Sequence, residues 1–200
     1  KRRGVESELK KLIKKYRHIQ RSQSEMLLVL YVFDVDDMKN INNHYGYDIG
    51  DMILVEVAKR LRKHKKAKDV IARLDGDEIL YISFIPNINV LPDYSHEVLA
   101  KLSAQALFID EETELDFTCS GSLICMPFVG EPLETQHWWR YLKMAEFALN
   151  TGKNHTKRNS LFWLKNNQVT GDFMHSSLRK KELSLALDKE EITLQPLVET

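Results

Sequence analysis

Two acidic residues, Asp77 and Glu78, follow an Asp-Gly pair that separates two apolar runs. The pair, Asp75-Gly76, predicts a β-hairpin turn because glycine adopts the positive φ that such a turn requires. Acids on a hairpin can bind a metal ion or transfer a proton. The competing interpretation is an acidic surface turn, since Asp and Gly populate turns for local reasons alone.

A second acidic segment begins at Asp34, directly after the apolar run 26–33. A continuous run of this kind predicts a strand buried on both faces of a sheet, and Asp34 is the first polar residue where that strand would emerge. Carboxylates at a strand end and on a nearby hairpin can converge. Because Mg²⁺ binds one or two carboxylates together with substrate phosphates, two convergent acids suffice for a nucleotide site.

The residues around these acids resemble the GGDEF family, whose active members join two GTP molecules into cyclic di-GMP. The matching residues follow the family's order and spacing: Phe33-Asp34-Val35-Asp36, Lys39, Ile41-Asn42, Tyr45-Gly46, Ile49-Gly50-Asp51 and Arg73-Leu74-Asp75-Gly76-Asp77-Glu78-Ile79. The resemblance covers residues 1–165. Arg2-Arg3-Gly4-Val5 looks like the tail of the family's entry motif, so we expect the chain to begin inside the domain.

The resemblance implies a site for Mg²⁺ or Mn²⁺. Its ligands would be the carboxylates of Asp34 and Asp77 with the carbonyl of Val35. Glu78 would act beside Asp77 in catalysis, as a metal ligand or proton acceptor. The two remaining acids of the first segment are expected to be solvated and to lie outside the metal's coordination sphere: Asp36 and Asp37.

GTP is the implied substrate or ligand. Asn42 and Asp51 match the family's guanine-reading pair, an amide and a carboxylate suited to the purine's polar edge. Without the resemblance, Asn42 is explained as a helix-end or turn residue, and Asp51 as an acid in the first turn of a helix. The other implied GTP-binding residues are Lys39, Gly76, Lys153 and Lys157. Lys157 stands where the family more often has Arg, and a surface lysine is the alternative there.

Two departures from the family pattern bear on activity. Asp75 replaces a glycine or other small residue, which places a carboxylate where the backbone approaches phosphates. We therefore expect weak or absent cyclase activity. The family's inhibitory product site, Arg-x-x-Asp, corresponds to Lys66 and Asp69, and the loss of Arg makes product inhibition doubtful because Lys neither stacks nor pairs with phosphate as well.

Residues 178–200 resemble the opening of an EAL domain, the cyclic di-GMP phosphodiesterase often found after GGDEF. The resemblance rests on Glu191-Ile192-Thr193-Leu194-Gln195-Pro196-Leu197-Val198. A polar, turn-forming segment, 166–177, is predicted to be the linker. An ordinary terminal helix and strand are the alternative. None of the EAL catalytic acids lies in this chain, so phosphodiesterase activity is not expected within it.

The composition excludes a general attraction to polyanions, because 29 Lys and Arg balance 29 Asp and Glu. We expect no nucleic-acid partner, and the basic segment 1–21 is predicted to be a solvated helix face. The longest apolar run is too short to span a bilayer, so no membrane segment is predicted here. A cytoplasmic location is expected, with reduced thiols at Cys119 and Cys125, although the parent protein can still be membrane-anchored.

The periodicity predicts an α+β fold, a ferredoxin-like βαββαβ sandwich with a central antiparallel sheet, and the family resemblance implies the nucleotide-cyclase and polymerase-palm type of this fold. The main predicted helices are 5–22, 38–45 and 49–66, and the predicted strands include 26–33, 115–126 and 160–164.

Three functions fit these observations. The first is a degenerate GGDEF domain that binds GTP and Mg²⁺ and regulates a C-terminal EAL domain. The second is an active diguanylate cyclase that tolerates Asp75. The third is a structural or dimerisation adaptor. The expected partners are GTP, cyclic di-GMP, an EAL domain in the parent chain and a second copy of the domain.

Overall fold

The computed structural model describes residues 2–74, 76–127, 138–155, 158–166, 180–189 and 192–198. Its helices are α1 (Arg2–Gln20), α2 (Met38–Tyr45), α3 (Tyr47–His64), α4 (Leu91–Ser103), α5 (Trp138–His155) and α6 (Lys180–Asp188). Its strands are β1 (Leu27–Val35), β2 (Val70–Arg73), β3 (Glu78–Ile85), β4 (Leu107–Phe108), β5 (Glu114–Leu115), β6 (Cys119–Met126), β7 (Leu161–Asn166) and β8 (Ile192–Val198).

Six strands form one sheet in the order β2-β3-β1-β6-β7-β8, and β4 pairs with β5 in a separate ribbon. The first four of these strands are antiparallel neighbours, which is the strand order of a ferredoxin-like sandwich. β7 joins parallel to β6 and extends that sheet. The predicted α+β fold class is confirmed, with a mixed rather than purely antiparallel sheet.

Strand β1 lies at the centre of the sheet and contributes alternate residues to two cores. Leu28, Leu30 and Val32 pack with α1 and α5 on one face. Val29 and Tyr31 pack with α2, α3 and α4 on the other. Because both faces are covered by helices, the strand is apolar from Leu27 to Phe33, as its continuous hydrophobic run predicted.

The hairpin predicted around Gly76 is confirmed, since β2 and β3 are antiparallel neighbours and Gly76 has a φ of 73°. Helix α2 has the predicted bounds, whereas α3 is shifted towards the N-terminus by two residues. The predicted strand 115–126 is wrong at its start: Leu115 belongs to the β4–β5 ribbon, and β6 begins only at Cys119. β1 also continues past its predicted end, through Asp34 to Val35.

The C-terminal segment packs on the same sheet. β8 pairs antiparallel with β7, and Leu183 of α6 is buried in the core formed by α1 and α5. The predicted linker begins at Asn166, which is the last residue of β7, and its residues 167–177 lie outside the described part of the chain. The assignment of 178–200 to a second domain stays a prediction. None of the described helices is long and apolar enough to cross a bilayer.

Candidate active site

Asp34 is held inside the sheet rather than at a frayed strand end. It pairs with Glu78 of β3 on one side and with Ser120 of β6 on the other. The ladder therefore brings an acid of the first acidic segment directly beside an acid of the hairpin. Because the backbone is hydrogen-bonded on both sides, the position of the Asp34 side chain is fixed by the sheet.

The Asp34 carboxylate has one occupied and one unoccupied oxygen. Lys153 Nζ, from α5, donates to Oδ2 at 2.6 Å. Oδ1 is buried, and no hydrogen-bond partner within the described part of the chain reaches it. The pKa of Asp34 is raised to about 6, chiefly by burial; the charge of Asp77 adds to this effect, and Lys153 opposes it. Asp34 and Asp77 therefore converge, as the sequence predicted.

Glu78 is the first residue of β3 and lies at the edge of this acidic group. Its pKa is raised to about 7 by burial first and then by the charges of Glu146, Asp34 and Asp77. A carboxyl group with a pKa near neutrality can accept or release a proton under physiological conditions. Glu146 belongs to α5 and had no sequence signal, because its proximity arises only from packing of that helix on the sheet.

A cleft of about 400 Å³ opens between α2, α3 and the hairpin, and Asp77, whose charge acts on Asp34, is part of its lining. Five of the residues that line it were predicted as site residues and come from three separate segments of the sequence: Lys39, Asn42, Asp51, Gly76 and Asp77. Arg73, Met38, Asn43, Tyr47, Gly50 and Leu54 complete the lining. The structure thus brings most of the expected nucleotide-binding residues to one surface.

Asn42 presents an unsatisfied amide oxygen in this region. Its Oδ1 is buried and makes no hydrogen bond with the described residues. Gly50 makes this placement feasible, because a Cβ at position 50 would lie 1.9 Å from that oxygen. A buried polar atom without a partner is costly, so its presence favours a ligand as the missing partner.

Asp51 and the hairpin are connected by an arginine to which the sequence had assigned no role. Arg73 Nη2 lies 3.3 Å from Asp51 Oδ1, and Arg73 Nε donates to the Gly76 carbonyl at 3.1 Å. Both side chains of this ion pair are largely solvent-exposed. Arg73 therefore links α3 to the hairpin through contacts that water screens, so the pair itself adds little stability.

The expectation that Asp36 is a solvated acid is wrong. Asp36 is only 5% exposed to solvent. Its Oδ2 accepts hydrogen bonds from Thr118 Oγ1 at 2.7 Å, Ser120 Oγ at 3.0 Å and the Asn159 N–H at 2.8 Å. Lys153 Nζ lies 3.4 Å from its other oxygen. These partners are distant in sequence, and the segment itself therefore gave no sign of burial. Asp37, at the start of α2, is half-buried and pairs with Arg158.

The remaining predicted residues fall into two groups. Val35 is the last residue of β1 and pairs with Cys119, while Lys153 contacts acids rather than open solvent. For Lys153, burial alone would lower the pKa, but the hydrogen bonds and charges of Asp34 and Asp36 outweigh it and raise the pKa. Lys157 and Asp75 lie outside the described part of the chain.

The donor set fits a hard divalent cation that also binds phosphate oxygens. Within the described ranges, no group of three or more His, Cys, Asp or Glu residues is arranged to hold a metal ion. Two carboxylates, Asp34 and Asp77, nevertheless converge, and the buried Oδ1 of Asp34 lacks a partner. Mg²⁺ commonly takes one or two protein carboxylates and completes its shell with water and substrate phosphates.

Lys66 and Asp69, at the position of the family's product site, do not reach the cleft. Asp69 is 4% exposed and accepts hydrogen bonds from the Lys66 N–H at 2.8 Å and from Tyr81 Oη at 2.6 Å. The Lys66 ammonium lies 4.3 Å from the centre of the Tyr94 ring and donates to the Phe84 carbonyl. Both side chains are thus engaged within the protein, which adds a physical reason for the doubt about product binding there.

Fold and site together define an α+β domain of the cyclase-palm type. Residues 1–159 match the family described as diguanylate cyclase, GGDEF domain. The chain belongs to the GGDEF family, whose members act in cyclic di-GMP signalling.

Individual relatives agree with this family. The chain is 28% identical over 173 residues to the cyclic di-GMP phosphodiesterase NbdA of Pseudomonas aeruginosa, a match that covers 86% of this chain and 21% of NbdA. It is 47% identical over 49 residues to the bifunctional diguanylate cyclase/cyclic di-GMP phosphodiesterase MucR of the same species, covering 24% of this chain and 7% of MucR. The matches therefore span less than a quarter of either relative.

The fold also matches solved structures. The GGDEF domain of YfiN (TpbB) from Pseudomonas aeruginosa aligns with a TM-score of 0.64 and 22% sequence identity, covering 80% of this chain and 92% of that domain. At this identity the likeness concerns the fold alone.

Proposed function

We propose that this domain binds GTP with Mg²⁺ or Mn²⁺ and regulates a C-terminal EAL phosphodiesterase, with weak or no cyclase activity of its own. The observation that carries the proposal is the shared cleft. Lys39, Asn42, Asp51 and Asp77 come from three segments of the sequence and line one cavity beside Asp34. A domain that had become a structural adaptor would have no need to keep these polar groups together at the cost of an unsatisfied buried amide.

Guanine recognition follows from the amide and carboxylate in the cleft. Guanine presents N1–H and N2–H₂ side by side, so a carboxylate such as Asp51 can accept both. The unpartnered Asn42 Oδ1 would then accept from the second hydrogen of the exocyclic N2 amino group. Adenine offers a different pattern at the same edge and leaves these groups unpaired, which predicts at least tenfold weaker binding, or about 1.4 kcal/mol.

The triphosphate would lie between cations. Lys39 lines the cleft near Asp77 and supplies a point charge for phosphate oxygens. A divalent cation held by Asp34 and Asp77 would neutralise phosphate charge and make a bound hydroxyl more acidic. Without a cation, Asp34, Asp77 and Glu78 would repel the triphosphate, so nucleotide binding is expected to depend on the metal.

Weak cyclase activity is inferred from Asp75. By the family resemblance, Asp75 replaces a small residue that approaches the phosphates, and the next residue in the sequence, Gly76, lines the cleft. Repulsion at a few ångström costs on the order of 1 to 4 kcal/mol, depending on the local dielectric. Condensation needs two aligned triphosphates, and it is therefore more sensitive to this charge than the binding of one.

Regulation of a phosphodiesterase is supported by the relatives and by the packing of the C-terminal segment. NbdA, which is named as a cyclic di-GMP phosphodiesterase, matches 86% of the chain. The EAL-like segment contributes β8 to the sheet edge and Leu183 to the core next to α5. Since α5 also carries Lys153, a nucleotide that binds two arrangements of this helix unequally would shift the position of the following domain.

An active diguanylate cyclase is the second candidate. It is favoured by Glu78, whose pKa of about 7 suits a proton acceptor beside Asp34 and Asp77. In this case the 3′-hydroxyl of one GTP would lose its proton to a carboxylate of the hairpin, and Asp75 would be accommodated by local adjustment of the turn.

One pair of measurements distinguishes the candidates. GTP binding is measured by calorimetry with Mg²⁺, and cyclic di-GMP is measured by chromatography after incubation. Binding without product supports the proposed function, rapid product formation supports the cyclase, and no binding leaves the structural adaptor. Asp75→Gly should raise product formation in protein that includes the full entry motif; a flat result with GTP still bound would remove Asp75 as the cause.

Regulation is tested in the longer parent protein by its phosphodiesterase rate with and without GTP. The proposal expects a GTP-dependent rate that Asp77→Ala abolishes. An unchanged rate at saturating GTP would refute the regulatory role without affecting the assignment of the cleft.

A further inference from the structure

In this structure, one ammonium group serves two carboxylates with different surroundings. Lys153 Nζ lies 2.6 Å from Asp34 Oδ2 and 3.4 Å from Asp36 Oδ1. It is therefore closer to the expected metal ligand, Asp34, than to Asp36. A divalent cation at Asp34 would meet a positive charge already seated on the same carboxylate, and like charges a few ångström apart in a partly buried site repel strongly.

Asp36 is built to receive that ammonium. Thr118, Ser120 and the Asn159 N–H all donate to its Oδ2, which orients the carboxylate and leaves Oδ1 to Lys153. The carboxylate is nearly inaccessible to solvent, so its negative charge needs a positive partner within the protein. Lys153 provides it, and only a small rotation of its side chain would make Asp36 the closer of the two acids.

We propose that the Lys153 ammonium neutralises Asp34 when the site holds no metal, and that Asp36 is the alternative carboxylate partner of this ammonium when a metal is bound. When a divalent cation binds Asp34, the ammonium leaves Oδ2 and pairs with Asp36 Oδ1, where it remains within reach of a phosphate oxygen. Asp36 is then a positioning residue for metal loading rather than a metal ligand. The inference rests on the metal site of the proposed function.

The geometry supports a lysine that exchanges between two carboxylate partners rather than one that only competes with the metal for Asp34. If Lys153 only blocked Asp34, a buried Asp36 with three donors on one oxygen would have no role beyond local structure. Because two carboxylates are within its reach, the ammonium keeps a partner while the metal binds, which avoids the large free-energy cost of an unpaired buried charge. The arrangement also keeps Asp34 neutralised in the absence of metal.

The test is a double-mutant cycle on Mn²⁺ affinity, read from free Mn²⁺ by electron paramagnetic resonance without nucleotide. Lys153→Met should tighten Mn²⁺ binding on the order of tenfold, because it removes a competing charge. Asp36→Asn should weaken binding about fivefold when Lys153 is present, because the ammonium then has only Asp34. In the Lys153→Met background, Asp36→Asn should change affinity less than about twofold.

Lys11→Met is the matched control, since it removes one lysine from a solvent-exposed ion pair with Glu8 on α1. It should leave Mn²⁺ affinity nearly unchanged. Far-UV circular dichroism and thermal unfolding verify that each variant is folded. If Asp36→Asn does not fold, Ser120→Ala replaces it in the cycle, because it removes one of the donors to Asp36 and keeps the charge.

Two results would overturn the inference. If Lys153→Met does not tighten Mn²⁺ binding, the ammonium does not compete with the metal for Asp34. If Asp36→Asn has the same effect with and without Lys153, Asp36 acts on the metal directly, as a ligand or through its charge, and not through Lys153. Failure of the proposed function looks different: wild-type protein and Asp34→Asn would then bind Mn²⁺ equally weakly, and the metal site itself would be lost together with the inference.

Discussion

Asp34 and Asp69 each have one buried carboxylate oxygen without a partner among the described residues, but Asp34 is half-buried, Asp69 is buried, and their surroundings differ. Asp34 faces other carboxylates and one lysine ammonium, beside an open cleft. Asp69 receives two donors from fixed groups, the Lys66 N–H and Tyr81 Oη. The unpartnered oxygen of Asp34 therefore lies among acids that a cation can bridge, whereas that of Asp69 lies in a structural network inside the protein.

The proton order in the Asp69 network follows from donor counting. Tyr81 has one hydroxyl proton and donates it to Asp69, so Tyr94 must donate to Tyr81 and Ser83 must donate to Tyr94. Burial raises the pKa of Tyr81, and the hydrogen bonds to Asp69 and Tyr94 raise it further. These donors hold Asp69 inside the protein, where its remaining oxygen is out of reach of a ligand, whereas the Asp34 side chain is 20% exposed.

Asp34→Ala should give the largest change. We expect affinity for GTP in the presence of Mg²⁺ to fall at least about 100-fold, or about 2.7 kcal/mol, because the cation that neutralises the triphosphate loses a ligand. Calorimetry measures this effect. Asp116→Ala, at an exposed acid, is the control and should change affinity by less than about twofold. If Asp34→Ala still binds GTP in a Mg²⁺-dependent way, Asp34 is not the metal ligand, and its functional distinction from Asp69 is lost.

Tyr81→Phe tests the structural half of the comparison. It leaves Asp69 buried with one fewer donor, so the free energy of unfolding should fall by about 2 kcal/mol while GTP affinity is unchanged. Urea unfolding measures the first quantity. Tyr47→Phe, at a residue that is 76% exposed, should be neutral within about 0.5 kcal/mol. A loss of GTP binding in folded Tyr81→Phe would mean that the network belongs to the functional site after all.

Gly50→Ala sharpens the assignment of the cleft. The new methyl group would meet the Asn42 amide oxygen at 1.9 Å and force the side chain out of its position. GTP affinity should fall about tenfold, with a smaller change in stability, because an Asn side chain can rotate away. Gly4→Ala is the matched helical control, since no atom lies within 4 Å of its added Cβ. Unchanged GTP affinity in Gly50→Ala would argue against base recognition by Asn42.

The smallest expected effect is the pH dependence at Glu78. Its pKa is raised from 4.5 to about 7 in the folded protein, so folding favours the protonated form. This contribution to stability is complete below pH 4.5 and is lost as the pH rises through about 7. Glu78→Gln should therefore be more stable than wild type by about 1 kcal/mol at pH 8, after allowance for solvent screening, and the gain should disappear at low pH.

Thermal unfolding in EDTA at pH 4.5 and pH 8 measures this difference. Glu111→Gln, at an exposed acid, serves as the control. A gain for Glu78→Gln that is equal at both pH values would show that the effect comes from packing and not from the charge of the acidic group.

Local patterns in the sequence were sufficient for much of the fold. The uninterrupted apolar run before Asp34 predicted a central strand, because only a strand covered on both faces is apolar at every position. Gly76 predicted the hairpin through its backbone freedom, and the spacing of apolar residues predicted α2 and α3. The residues Asn42, Asp51 and Asp77 were found because the family motif records their order, which local propensity does not contain.

The tertiary structure alone decided how the acids are used. Asp36 and Asp37 are adjacent and chemically identical, yet only Asp36 accepts hydrogen bonds from Ser120 of β6, from Thr118 just before β6 and from Asn159 in the segment before β7. Likewise, Asp69 became structural through Tyr81, twelve residues away in sequence. Burial and hydrogen-bond partners depend on which segments the sheet brings together, and charge energies depend on that burial. The sequence therefore determined which groups are available, and the packing determined which of them remain free to bind a ligand.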